Sequence, residues 1–296
     1  MHHVQWAEGC SKLPAAALIR WLPQLVSHWK RSQSGSGSAH RFKRSEEVIM
    51  QICEDYPQAV YMSVRVLKYE VPALWERITR SGDCASHASL EKFCVALRHL
   101  QHPQDQLANL KGITGLKETH EEIFEEICAD FGKDANVGDY RKAFNNKHKD
   151  KLRNKLEGGS LPADAPALFG ELGKLGKEAE GEAAKAGGCK MPLSRMSKVL
   201  HDFEGSGSDS GALIVPGQHL AIVPVRSEDG APKLSSCDPE ILTMKSKARP
   251  KRLIMRGSDG REYWWLAKGG EDLRQVAIRV NRPCTLACIC LSVKQL

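Results

Sequence analysis

The stretch most suited to chemistry is Gly257-Ser258-Asp259-Gly260, set between two runs of alternating apolar and polar residues. Phosphate oxygens are held by backbone N–H groups of a tight turn, by hydroxyl donors and by a fixed cation. Gly257 and Gly260 permit such a turn, and the Ser258 hydroxyl adds a donor. Lys268 ends the next run, eight residues past Gly260, and on this reading comes back beneath the turn. Glu271 follows closely and suits the role of a charge-assisted partner for Lys268. Taken singly, the same residues also fit an ordinary hairpin and a solvated lysine. Their combination is what points to a phosphate site. Other candidates are weaker. His87, His99, His102, His120 and His148 lack metal-ligand spacing, and Cys284, Cys288 and Cys290 lack a second ligand pair, so no metal site is expected.

The elements around this stretch are of two kinds. From Leu220 onward the hydrophobic period is two, with strands expected at Leu220–Val225, Ile241–Met244, Arg252–Met255 and Glu262–Ala267. Asp-Gly between the last two marks a hairpin. Trp264 and Trp265 face opposite sides of that hairpin, so at least one belongs to the sheet core. The basic run Lys245, Lys247, Arg249, Lys251 and Arg252 reads as a solvated, charge-protected strand edge.

Upstream the period is helical. Leu18, Ile19, Leu22, Leu25, Val26 and Trp29 form one apolar set, and Ser45 opens a helix that carries Val48, Ile49, Ile52 and Cys53. Tyr56-Pro57-Gln58 interrupts it. The helices to about residue 110 suit a stacked solenoid. A second helical pair follows, with stripes at Ile123, Phe124, Ile127 and Phe131 and at Tyr140, Phe144, His148, Leu152 and Leu156. Gly170–Gly188, rich in Gly, Ala, Lys and Glu, reads as poorly packed. Pro192–Phe203 suits a last helix, and Glu204–Gly211 a linker.

The chain has 296 residues, 41% of them hydrophobic, enough for two domains with sizeable cores. A net charge of +7 permits an acidic partner without requiring one. No apolar run reaches the ~18 residues of a membrane span. Ten cysteines with no CxxC pair suit reduced thiols rather than a disulfide framework. The fold class expected is α+β.

The run from Arg249 to Gln275, which ends Lys-Gly-Gly-Glu-Asp-Leu-Arg-Gln, resembles the kinase N-lobe of the phosphatidylinositol-3-kinase-related protein kinases. Ile214-Val215-Pro216-Gly217-Gln218 resembles the segment leading into that lobe, and Tyr56-Pro57-Gln58-Ala59 a piece near the end of the family's helical FAT region. The resemblance divides the chain into a FAT-type end (1–110), a segment in the rapamycin-binding-like position (111–204), a linker (205–211), a partial N-lobe (212–275) and a tail (276–296). It implies a serine/threonine protein kinase that uses ATP and Mg²⁺, with Lys268 and Ser258 on the phosphates and an acidic residue paired with Lys268. For the family's DNA-repair branch it implies a nuclear role in double-strand-break end joining, with Ku, DNA ends and protein substrates as partners. A growth-signalling member of the family and a non-catalytic helical scaffold are the alternatives. No specific nucleic-acid site is identifiable in the chain itself.

After Gln275 the resemblance stops abruptly, as a frameshift, retained intron or mis-joined gene model would produce. Val276–Leu296 does not continue the expected helix and is expected to find no docking site. The catalytic-loop Asp and Asn and the Asp-Phe-Gly segment that binds Mg²⁺ are not recognised. The purified 296-residue chain is therefore expected to transfer no γ-phosphate to protein. Transfer that disappears with Lys268→Ala would refute this.

Overall fold

A computed structural model describes residues 13–33, 39–65, 72–81, 84–113, 117–179, 188–205, 213–217, 230–245, 249–269 and 286–291. Helices fill the first two-thirds and a small, mostly antiparallel sheet the remainder, an α+β arrangement. Contacts group the chain into two compact units that do not follow its linear order. One holds residues 1–92, 205–234 and 257–259; the other holds 93–204, 235–256 and 260–296.

In the first unit, α1 (Ala15–Leu18) runs through a 3₁₀ turn into α2 (Leu22–Gln33). α3 (Ala39–Asp55), α4 (Pro57–Val64) and α5 (Pro72–Ser81) follow. The apolar set read from the sequence is the core here: Leu22, Leu25, Trp29, Ile49 and Ile52 are each at most 2% exposed. α3 begins six residues before Ser45, which lies buried within it. Tyr56 breaks the chain before α4, and Pro57 sits in the first turn, where its missing N–H has no helical partner to lose. Glu91 accepts from Tyr61 Oη at 2.9 Å and pairs with Arg65 through Nε (2.8 Å) and Nη2 (2.5 Å). Glu91 belongs to α6 (Cys84–Arg98).

The second unit takes the end of α6 and then α7 (Pro103–Leu110), α8 (Lys117–Phe131), α9 (Asp139–Lys147), α10 (Lys149–Leu156) and α11 (Ala165–Glu178). Ile123, Phe124, Ile127, Phe131, Phe144 and Leu152 form its core, as their spacing anticipates. The expected weak packing of the Gly-rich stretch does not hold for its first half. Asp164 caps α11 by accepting from the Ala167 N–H at 3.1 Å, and Leu168, Phe169, Leu172 and Leu175 are buried against α7. The glycines that look like disorder in composition are there for close helix contact: a Cβ at Gly176 would lie 2.4 Å from Ala108 N and 2.5 Å from Gln104 O. Residues 180–187 lie outside the described residues.

Instead of one helix over Pro192–Phe203, the chain forms β1 (Lys190–Pro192), α12 (Leu193–Met196) and α13 (Lys198–His201), the last capped by Ser197. The sheet adds β2 (Leu234–Cys237), β3 (Glu240–Thr243), β4 (Lys251–Gly257), β5 (Glu262–Gly269) and β6 (Leu286–Leu291). Its order is β1-β3-β4-β5-β6, with β2 also paired to β4. The strand expected at Leu220–Val225 lies outside the described residues. β6 is a correction: part of the tail expected to have no docking site pairs in parallel with β5, from Trp264↔Leu286 to Gly269↔Leu291. Leu-Ala-Cys-Ile-Cys-Leu carries no charge, and its backbone satisfies the edge of β5 that would otherwise be unpaired. Kinase-helix patterning after Gln275 gave no view of a strand joining by backbone pairing alone.

Candidate functional site

The β4–β5 register runs from Lys251↔Ala267 to Arg256↔Glu262, and residues 258–261 connect the two strands. Gly260 has φ +74°, a left-handed conformation that favours glycine, and a Cβ there would meet nothing within 4 Å. Ser258 is engaged with the chain itself. Its N–H donates to Lys233 O at 2.7 Å, and its Oγ accepts from the Lys233 N–H at 3.0 Å. Its hydroxyl therefore fastens the loop to the residue just before β2. Lys268 stands at the other end of β5 from Gly260. Eight strand residues span about 26 Å, far longer than a triphosphate, so Lys268 does not return beneath the turn. Glu271 lies outside the described residues.

The sheet has two unlike faces. Leu253, Met255, Trp265 and Ala267 are buried, whereas Arg252, Ile254 and Leu266 are half-buried and Trp264 is 42% exposed. The Trp pair thus divides between core and surface as its adjacency requires. The Arg252 guanidinium stacks over the Trp264 ring at 4.7 Å, a cation–π contact.

The basic run is not a solvated edge at Arg249 and Lys251, although Lys245 is exposed and Lys247 lies outside the described residues. Arg249 and Lys251 are only 6% and 3% exposed. Arg249, whose φ is +42°, forms an ion pair with Asp105 of α7. Lys251 faces the same carboxylate, pairs across the sheet with Thr243 and Ala267, and has its pKa lowered to about 7. Burial is the main cause; Asp105 opposes it, and Arg249 and Arg141 add to it. His102, fully buried at the start of α7, has no hydrogen-bond partner at either ring nitrogen. Burial, then Lys251, Arg249 and Arg141, push its pKa down to about 2, so it is neutral.

A second buried polar cluster holds the helices of this unit together. Asp130 on α8 accepts from Arg98 Nε and Nη2 (both 3.0 Å) and from Gln106 Nε2 (2.8 Å), and lies 3.1 Å from His99 Nε2. Arg141 donates to Gln106 Oε1 at 2.7 Å and to Gln101 O at 3.1 Å, and packs over the Phe131 ring at 5.0 Å. Burial raises the Asp130 pKa, but the His99 hydrogen bond and the Arg98 and Arg141 charges outweigh it and hold the carboxyl below the usual range. Sequence reasoning missed both clusters. The available signal was position: Asp130 falls three residues after Ile127, and Arg141 three before Phe144, on stripes otherwise apolar.

Over 285 residues, 89% of this chain and 6% of the relative, the sequence is 24% identical to the DNA-dependent protein kinase catalytic subunit of Dictyostelium discoideum. Over 291 residues, 90% of this chain and 7% of the relative, it is 26% identical to that of Xenopus laevis. These similarities support the phosphatidylinositol-3-kinase-related protein kinase family. A second member, the serine/threonine-protein kinase TOR2 of Saccharomyces cerevisiae, is 40% identical over 58 residues, 19% of this chain and 2% of the relative. No family model matches. The chain thus spans 6–7% of the length of the two relatives that cover most of it. Among the described residues no helix is long and apolar enough to cross a membrane.

Proposed function

We propose that the chain is a segment of an ATP- and Mg²⁺-dependent serine/threonine protein kinase of the nucleus that acts in DNA double-strand-break repair by end joining, with Ku and DNA ends as partners. The supporting observation is similarity to DNA-dependent protein kinase catalytic subunits along about nine-tenths of the chain. On this reading the helices to residue 110 are the end of a FAT-type solenoid, and 111–204 is the rapamycin-binding-like bundle. Residues 212–275 belong to the nucleotide-binding lobe. The growth-signalling reading draws on the shorter match to the yeast kinase TOR2.

Within the lobe, Lys268 is the residue that would meet the ATP phosphates, with Glu271 as its acidic partner. Gly257 and Gly260 shape the loop. Ser258 closes it onto Lys233, and its Oγ already accepts a hydrogen bond there. Mg²⁺ would be held by oxygen ligands; the described residues contain no cluster of three His, Cys, Asp or Glu side chains suited to a metal. In the full-length kinase that carries this segment, Lys268→Met should lower turnover ten- to hundredfold, corresponding to ~1.5–3 kcal/mol for a lost charged hydrogen bond. The melting temperature should hardly move. Ser258→Ala should change turnover by no more than about fivefold, because a neutral hydrogen bond to the chain contributes only ~1 kcal/mol. Full turnover in the Lys268→Met protein would remove the nucleotide reading. Stimulation by DNA ends with Ku supports the repair assignment; activity indifferent to them would favour growth signalling.

A further inference from the structure

We propose that the junction of α7 and β4 in the second unit is a proton-sensitive latch, which clamps the sheet to the helices when deprotonated and loosens on protonation. Three observations carry this. The Arg249–Asp105 ion pair ties the residues leading into β4 to the first turn of α7. Arg249 reaches it from φ +42°, the only left-handed non-glycine conformation among the described residues, so the closed form holds a strained backbone. The interior between the two elements is crowded with basic groups: Arg249 and Lys251 from the sheet side, Arg141 from α9, and His102 from the start of α7 are all buried, with Asp105 acting on Arg249 and Lys251 and Asp130 of α8 on Arg141. Thr243 on β3 and Ala267 on β5 complete the surroundings of Lys251 and bring no charge. His102 packs edge-on to Tyr140 at 5.4 Å, and neither of its ring nitrogens is bonded.

The direction follows from linkage. Closed, Lys251 loses its proton near pH 7; opened to water, it keeps it to the ordinary value of 10.5. Between those values the open form holds one more proton, so each unit of acidification favours opening about tenfold. Below 7 both forms are protonated and Lys251 contributes no further slope. His102 then takes over. It stays neutral when closed down to about pH 2 but protonates near 6.5 when open, so opening gains about tenfold per unit below 6.5. The latch is tightest in alkali and weakens in two successive steps.

Amide protection factors in the 296-residue chain test this, with β4 as reporter and Ile52 of α3 in the first unit as reference. β4 protection should fall about tenfold per unit from pH 9.5 to 7.5, and the Ile52 value should change much less. Lys251→Met should flatten that limb and leave the limb below pH 6.5 intact; His102→Gln should do the reverse. An unchanged alkaline limb in Lys251→Met would overturn the proposal. If that variant does not fold, the Lys251 side-chain NMR shift in the unsubstituted chain decides: titration near 7 supports the latch, and titration above about 9.5 removes it.

Discussion

Asp130→Ala should destabilise the second unit by about 3–5 kcal/mol, the cost of removing one partner from a buried ion pair. Arg98 would lose both of its bonds to this carboxylate, keeping Glu126 at 2.8 Å. His99 and Gln106 would lose an acceptor as well, and Arg141 would lose the charge that offsets its burial. Urea denaturation followed by far-UV circular dichroism measures the effect. The comparison is Glu76→Ala on α5, which removes an exposed i,i+4 pair with Arg80 at 3.0 Å and should change stability by at most ~0.5 kcal/mol. A loss below 1 kcal/mol for Asp130→Ala would mean that the network is decorative. The sign with pH also follows. Because the folded carboxyl lies below its ordinary value of 3.8, its stabilisation is present above that pH and is lost as pH falls through the folded value. Asp130→Asn should flatten the acid limb below pH 4.

The second large effect separates two glycines of one helix. Gly170→Ala should stabilise the chain by about 1 kcal/mol, since alanine is the better helix former and a Cβ there meets nothing within 4 Å. Gly176→Ala should destabilise it by about 2 kcal/mol: the same propensity gain is outweighed by ~3 kcal/mol of overpacking. The atoms in the way are Ala108 N at 2.4 Å, Gln104 O at 2.5 Å and Leu107 Cβ at 2.9 Å. Two of these are backbone and cannot rotate aside, so α7 and α11 must separate. Thermal melts of both variants suffice, and equal shifts of the same sign would show that α11 does not lie against α7 as described.

Wherever local pattern governs, the sequence alone was sufficient. Helical spacing placed the cores at Leu22–Trp29, Ile49–Ile52 and Ile123–Phe131, and period-two alternation with Asp-Gly placed the β4–β5 hairpin and divided Trp264 from Trp265. These depend on which side chains share one face of one element. The family was legible too, because its residues lie in a contiguous run. Only the tertiary structure decided the rest. Arg249 and Lys251 read as surface because charge is usually solvated, yet they are buried beside Asp105, a residue 144 positions from Arg249. Gly173 and Gly176 read as disorder because composition counts glycine as flexible, whereas here its missing side chain lets two helices touch. The Ser258 Oγ accepts from the N–H of Lys233, 25 positions away, a contact that no hairpin motif gives. In each case the deciding partner lies far away in the chain, and no local period or motif carries its position.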